Sequence, residues 1–193
     1  MILSLTKKEL RTIYQAKRMA LSQDEVIFLS DKLLKNFILQ FNPIENQKVN
    51  VFLSIERFNE IHTQIFIDYF FEKEIRVFVP KITGETIISV EIFPDSRFEV
   101  NRWGIKEPMS NIASDVHLDC VLTPLLYCDA SGNRVGYGKG FYDQFFSENL
   151  MIKKKIGLNF FPPHEVIADV YQKDVQMDVL LTPNQRIDFN ENS

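Results

Sequence analysis

Two apolar runs, Val49-Asn50-Val51-Phe52-Leu53-Ser54 and Arg76-Val77-Phe78-Val79-Pro80, stand on either side of a helix-length stretch at 63–72. Strand, helix and strand in that order predict a βαβ unit, and strands joined by a crossover helix run parallel. A parallel sheet places its ligands beyond the carboxyl ends of its strands, which here points to residues 54–63. Further strand-like runs at 86–93, 120–127, 155–161 and 178–183 enlarge the sheet. The fold expected is α/β, a mainly parallel sheet flanked by helices on both faces. At 193 residues it forms a single domain, 1–193, able to bury roughly 70% of its unfolded surface.

Residues 132–143 read Gly-Asn-Arg-Val-Gly-Tyr-Gly-Lys-Gly-Phe-Tyr-Asp and hold four of the chain's seven glycines. The strand-like run 120–127 precedes them and a short predicted helix, 141–150, follows. Glycines let backbone N–H groups converge on an anion, and a helix N-terminus adds unsatisfied donors and the positive end of a dipole. Strand, glycine loop and helix therefore suggest a phosphate cradle. Arg134 adds a planar fork for phosphate oxygens and Lys139 a mobile point charge. A solvated glycine turn is the alternative. The loop is not an ATPase P-loop, because no Ser or Thr follows Gly138-Lys139, and its Gly136-x-Gly138-x-Gly140 spacing is one short of the dinucleotide fingerprint.

Composition narrows the function classes. An apolar fraction of 45% and a charged fraction of 25% are those of a globular protein, and a net charge of -4 gives no reason to expect a nucleic-acid partner. No apolar run reaches the roughly 18 residues of a membrane span, so a cytoplasmic protein without a membrane partner is expected. Cys120 and Cys128 are too few for a disulfide framework and are read as reduced. His62, His117 and His164 lack partners at metal spacing and are read as structural. Residues 184–193 read as a loose polar tail.

Thr6-Lys7-Lys8-Glu9 has the form of a capping box and predicts a helix from there to about residue 20. Ser22-Gln23-Asp24-Glu25 predicts a second helix, to about 41. At 100° per residue, Lys7, Arg11, Tyr14 and Arg18 share a narrow sector of the first. Three cations on one stripe repel by a few tenths of a kcal/mol per neighbouring pair. Either an anion lies opposite, or the stripe is a solvated basic face.

Arg-Val-Gly-Tyr-Gly-Lys-Gly-Phe-Tyr-Asp at 134–143 resembles the signature of the 5-formyltetrahydrofolate cyclo-ligases, Arg-Leu-Gly-x-Gly-x-Gly-Tyr-Tyr-Asp, and the similarity extends from Lys7 to about Leu181. Lys7-Lys8-Glu9-Leu10-Arg11 matches the family's N-terminal Lys-x-x-Leu-Arg. The resemblance implies ATP-driven, magnesium-dependent closure of 5-formyltetrahydrofolate to 5,10-methenyltetrahydrofolate. It implies an ATP site made of residues 7–11 together with Arg134, Val135, Gly136, Tyr137, Gly138, Lys139, Gly140, Phe141 and Tyr142. The implied folate site is Leu53, Glu60, Trp103, Tyr137, Gly138, Lys139, Gly140 and Phe141, with Trp103 against the pterin in a segment ending Ile105-Lys106-Glu107-Pro108. Arg134 and Lys139 would be catalytic, and Asp143 and Asp174 would hold magnesium. Phe141 stands where the family usually has Tyr, and Cys128 where it usually has an aromatic. On residue chemistry alone Leu53 is equally a core residue and Asp143 equally a helix-start carboxylate, while a lone Trp such as Trp103 is more often a packing residue than a ligand platform. The partners expected are ATP and a reduced folate, with the chain acting as a monomer. Rival readings are a kinase or ligase for another small acid, and a folate- or phosphate-binding protein without turnover.

Overall fold

The computed structural model describes residues 2–84, 86–102, 104–149 and 151–189. A short strand, β1 (Ser4–Leu5), leads into two helices, α1 (Lys7–Met19) and α2 (Gln23–Phe41). Both begin in capping boxes. The Thr6 N–H donates to the Glu9 carboxylate at 2.8 Å while Glu9 N–H donates to the Thr6 hydroxyl at 3.3 Å, and Ser22 and Glu25 repeat the exchange at 2.8 and 3.2 Å. Asn42 ends α2 in the left-handed conformation, φ 41°.

The expected βαβ unit follows as β2 (Lys48–Val51), α3 (Gln64–Glu72) and β3 (Arg76–Thr83), with β2 and β3 parallel and Lys48 opposite Arg76. The β2 ladder ends at Phe78, so Pro80 interrupts no pairing on that side, and β3 continues against β4 (Thr86–Ile92), which returns antiparallel. Residues 97–108, where the sequence shows no strand pattern, are not a simple loop. They contain a hairpin of β5 (Phe98–Val100) and β6 (Lys106–Pro108), fastened to β3 because Lys81 donates to the Pro108 carbonyl (2.7 Å) and Glu107 accepts from the Ile82 N–H (2.8 Å). Then come β7 (Cys120–Pro124), β8 (Tyr127–Cys128), β9 (Arg134–Val135), α4 (Phe141–Glu148), β10 (Lys155–Leu158), β11 (Val166–Ile167), β12 (Val179–Leu181) and β13 (Arg186–Asp188).

The main sheet has seven strands in the order β13-β12-β10-β7-β2-β3-β4, with β3, β2, β7, β10 and β12 parallel. From β2 the chain winds outward through β3. From β7 it winds the other way through β10 and β12. The reversal between β2 and β7 is a topological switch point, the position at which open α/β sheets leave a crevice.

Alternation along the strands divides the apolar side chains into two clusters. Val49, Val51, Val77, Val79, Leu122, Ile156, Leu158, Val179 and Leu181 pack with Leu33 and Phe37 of α2 and Phe66 and Phe70 of α3. Phe78, Val121 and Leu180 pack with Phe145 and Phe146 of α4. A third cluster lies apart from the sheet: Leu10 and Tyr14 of α1 against Leu126, Tyr127, Val135 and Ile167. Helix α1 is thus seated on the β8–β9 hairpin and on β11. Parallel pairing of β1 with β11 and a Tyr14–Tyr127 ring contact at 4.3 Å secure it there.

One expectation needs correction at the chain's end. Residues 184–189 are not loose: β13 pairs antiparallel with β12, Arg186 forks onto Asp188, and the Phe189 ring lies against Gly132. The backbone edge of β12 pairs with a polar segment, which hydrophobic patterning does not register. Residues 190–193 lie outside the described residues, as does Trp103.

Candidate active site

Three segments meet at the switch point: 52–63 after β2, the hairpin and glycine loop after β7, and the inward face of α1. The first is cross-braced by short hydroxyl bonds. Thr63 donates to the Phe52 carbonyl and Ser54 to the Ile61 carbonyl, each at 2.6 Å. This bracing turns Glu60 inward, where it is 4% exposed. Leu53 is half-buried and packs against the first apolar cluster, which supports its core reading.

The hairpin corrects the simple order of strand, glycine loop and helix. Arg134 and Val135 form β9, pairing with Cys128 and Tyr127. The turn is organised by Asp129, a buried carboxylate that accepts from the N–H groups of Ser131 and Asn133 and the Asn133 amide, each at 3.0 Å. Asp129 was not singled out from the sequence, although Asp129-Ala130-Ser131-Gly132 has the composition of a side-chain-capped turn. Gly132 has φ 82°, and a Cβ there would lie 2.9 Å from the Met177 carbonyl.

The glycine loop proper is 136–140. Gly138 (φ 86°) and Gly140 (φ 72°) both need the left-handed region, and Gly140 is the N-cap of α4 with no side chain closing its first turn. Arg11 crosses the loop, donating from Nε to the Gly136 carbonyl at 2.8 Å, with its guanidinium 3.2 Å from where a Gly138 Cβ would lie. Lys139 is exposed, and its ammonium has no partner among the described residues.

All four residues of the α1 stripe face inward: Tyr14 and Arg18 are buried, and Lys7 and Arg11 half-buried. The solvated-face alternative fails. Within the 7–11 segment only Lys7 and Arg11 reach the site. Leu10 is core, Glu9 caps the helix, and Lys8 is exposed on the outer side beside Thr12 and Ile13.

Arg134 does not project from a loop. Its side chain is 7% exposed; its guanidinium donates to Asp143 Oδ1 at 2.7 Å and to the Val175 carbonyl, and lies 5.2 Å from the Phe146 ring centre. Asp143 Oδ1 also accepts from the Val175 N–H at 3.0 Å, which draws the 174–175 segment onto the start of α4. Asp174 Oδ2 accepts from Lys7 Nζ and from the Tyr171 N–H. Two cations and two carboxylates converge from four segments, and being opposite in sign they neutralise one another. The contacts on Asp143 all fall on Oδ1 and those on Asp174 on Oδ2, so the second oxygen of each carries none of them. Among the described residues no cluster of three or more His, Cys, Asp or Glu occurs. Two hard carboxylates beside the glycine loop are of the donor type that fits magnesium, which takes one or two carboxylates and fills its sphere with other oxygens and water.

Tyr137 joins the cradle to the other half of the site. Its hydroxyl donates to Glu60 Oε1 and accepts from Arg18, and Phe58 lies 5.6 Å from its ring. Burial pushes the Glu60 carboxyl up, opposed by the Tyr137 hydrogen bond and the Arg18 charge. Phe141 is half-buried against the second cluster, and the buried Tyr142 hydroxyl has no partner among the described residues.

A glycine loop, an inward cationic helix and a carboxyl-bearing crevice at one switch point define an α/β protein with one candidate site at the carboxyl end of its parallel strands. Comparison with known proteins narrows that class. Residues 4–184 match the model of the 5-formyltetrahydrofolate cyclo-ligase family, and this chain belongs to that family. It is 29% identical to the 5-formyltetrahydrofolate cyclo-ligase of Mycoplasma pneumoniae over 92% of this chain and 98% of the relative. The probable 5-formyltetrahydrofolate cyclo-ligase of Schizosaccharomyces pombe is 26% identical over 96% and 98%. The fold superposes with a TM-score of 0.81 on Aquifex aeolicus 5,10-methenyltetrahydrofolate synthetase, at 25% identity, covering 98% of this chain and 95% of the other.

Proposed function

We propose that this chain converts 5-formyltetrahydrofolate to 5,10-methenyltetrahydrofolate, with ATP cleaved to ADP and phosphate. The observation that carries the proposal beyond family membership is Tyr137, a member of the glycine cradle bonded to Glu60 at the end of β2. A phosphate donor in the cradle and a folate at Glu60 would be adjacent, as transfer between them requires.

In this reading the formyl oxygen attacks the γ-phosphorus as ADP departs, the folate 10-position nitrogen attacks the activated carbon, and phosphate leaves with the former formyl oxygen as the nitrogen gives up its proton. The chain supplies positioning and charge, and no side chain need act as nucleophile. The free amides at the start of α4 and the mobile ammonium of Lys139 meet the phosphates, while Arg11 holds the loop in shape. Lys7 and Arg134 hold the two carboxylates in place. Magnesium at Asp143 and Asp174 would neutralise charge on the phosphate oxygens. The Tyr142 hydroxyl, without a partner among the described residues, has a proton to donate to substrate. Glu60 accepts from folate N–H groups, with Leu53 and Phe141 as apolar walls; the family resemblance would add Trp103 as the pterin's aromatic partner. The division of the apolar clusters between α2 and α3 on one hand and α4 on the other supports a sheet covered on both faces, and a monomer is sufficient for the site.

Isotope labelling tests the sequence of steps. With 18O in the formyl group, the released phosphate should carry the label, whereas label recovered in formate would mean hydrolytic deformylation and label lost to water would mean closure without phosphorylation, and either would overturn the scheme.

A further inference from the structure

Arg18 is 5% exposed near the carboxyl end of α1, about two turns beyond Arg11, and the phosphate cradle does not use it. Its Nε donates to the Phe58 carbonyl at 2.8 Å, its own carbonyl accepts from the Asn59 amide at 3.2 Å, and its Nη2 donates to the Tyr137 hydroxyl at 2.5 Å. An arginine can only donate, so the Tyr137 oxygen accepts from it and turns its own proton to Glu60 Oε1. The other Glu60 oxygen accepts from the Ile55 N–H at 2.7 Å. The hydrogen-bond order is therefore fixed from end to end: guanidinium, phenol, carboxylate, amide.

The charged and titratable groups around Glu60 come from three elements: Arg18 from α1, Tyr137 from the glycine loop and Tyr142 from α4. Arg18 is the only cation among them. A cavity of about 10 Å³ against Arg18, Glu60, Ile61 and Pro124 has room for about one water, too little to solvate a carboxylate.

We propose that Arg18 is a positioning residue for the folate half of the site: through the Tyr137 hydroxyl it holds Glu60 as a hydrogen-bond acceptor at the end of β2 and ties that acceptor to the glycine loop, so that carboxylate and phosphate cradle are set together. The proposal rests on the reading that Glu60 meets the folate. It gives the inward stripe of α1 two duties, Lys7 and Arg11 serving the nucleotide side and Arg18, two turns on, serving the other.

The test has one arm that needs no substrate. In infrared titrations the carbonyl band of protonated Glu60, assigned by its loss in Glu60→Gln, should appear about one pH unit higher or more in Arg18→Gln than in the parent. Tyr137→Phe, which removes only the connecting hydroxyl and keeps the ring, should move it in the same direction. Arg18→Lys, which keeps the charge, should largely restore the parent's midpoint. In the second arm, Arg18→Gln should raise the folate KM about tenfold at neutral pH, with the acid-side loss of folate binding beginning at higher pH and the ATP KM much less affected. An unmoved carbonyl band in both Arg18→Gln and Tyr137→Phe overturns the proposal whether or not Arg18→Gln folds well. A parent protein that makes no methenyl product while the band still moves would leave the Arg18 arrangement standing and sink the folate reading instead.

Discussion

Lys139 and Arg134, both marked by the sequence as cations of the cradle, have opposite environments. Lys139 is exposed and unpartnered among the described residues, so Lys139→Ala should lower turnover sharply while leaving the melting temperature unchanged. Arg134 is buried against Asp143, Val175 and the Phe146 ring. Its removal leaves a carboxylate without its partner and a gap beside an aromatic ring, so Arg134→Ala should cost roughly 3 kcal/mol, read as a fall of roughly 5–10 °C in Tm together with lost activity. A normal melting temperature for Arg134→Ala would show that its pairing contributes little. The sequence marks both cations without distinguishing their environments, because ionisable side chains are placed by tertiary contacts that leave no periodic trace.

The glycine loop, as an element, owes its shape to two left-handed residues that differ in their surroundings. A Cβ at Gly140 meets nothing within 4 Å, whereas one at Gly138 would press on the Arg11 guanidinium. Both alanine variants carry backbone strain of roughly 1–2 kcal/mol, but only Gly138→Ala should also displace Arg11 and raise the ATP KM markedly more. Equal KM values for the two would remove Arg11 from the loop's support. Helices α1 and α2, the βαβ unit and the glycine loop were legible because caps, periodicity and glycine are local signals. The β8–β9 and β5–β6 hairpins were not, since strands of two or three residues are too short for a pattern and depend on partners such as Asp129 and Lys81. Strand β13 escaped for the same reason.

For the whole molecule, the two thiols, Cys128 buried and Cys120 half-buried, report how tightly the sheet is closed. Burial raises Cys120 to about 12 and pushes Cys128 up as well, so neither forms appreciable thiolate near neutrality. Native protein at pH 8 should resist alkylation at both positions and react at both in denaturant. From about pH 9 upward the unfolded thiols ionise while Cys120 keeps its proton to about pH 12, so stability should fall as pH rises through that window. The same closed frame brings α1, the 52–63 segment and the glycine loop to one crevice, and the central claim is that ATP and folate react there as neighbours. The most direct measurement is the ratio of ADP released to methenyl product formed, the latter followed by the absorbance of its extended conjugation. The account predicts one ADP per methenyl bridge and negligible ADP when 5-formyltetrahydrofolate is omitted; sustained ADP release without the folate, or dependence on a different acid, would contradict it.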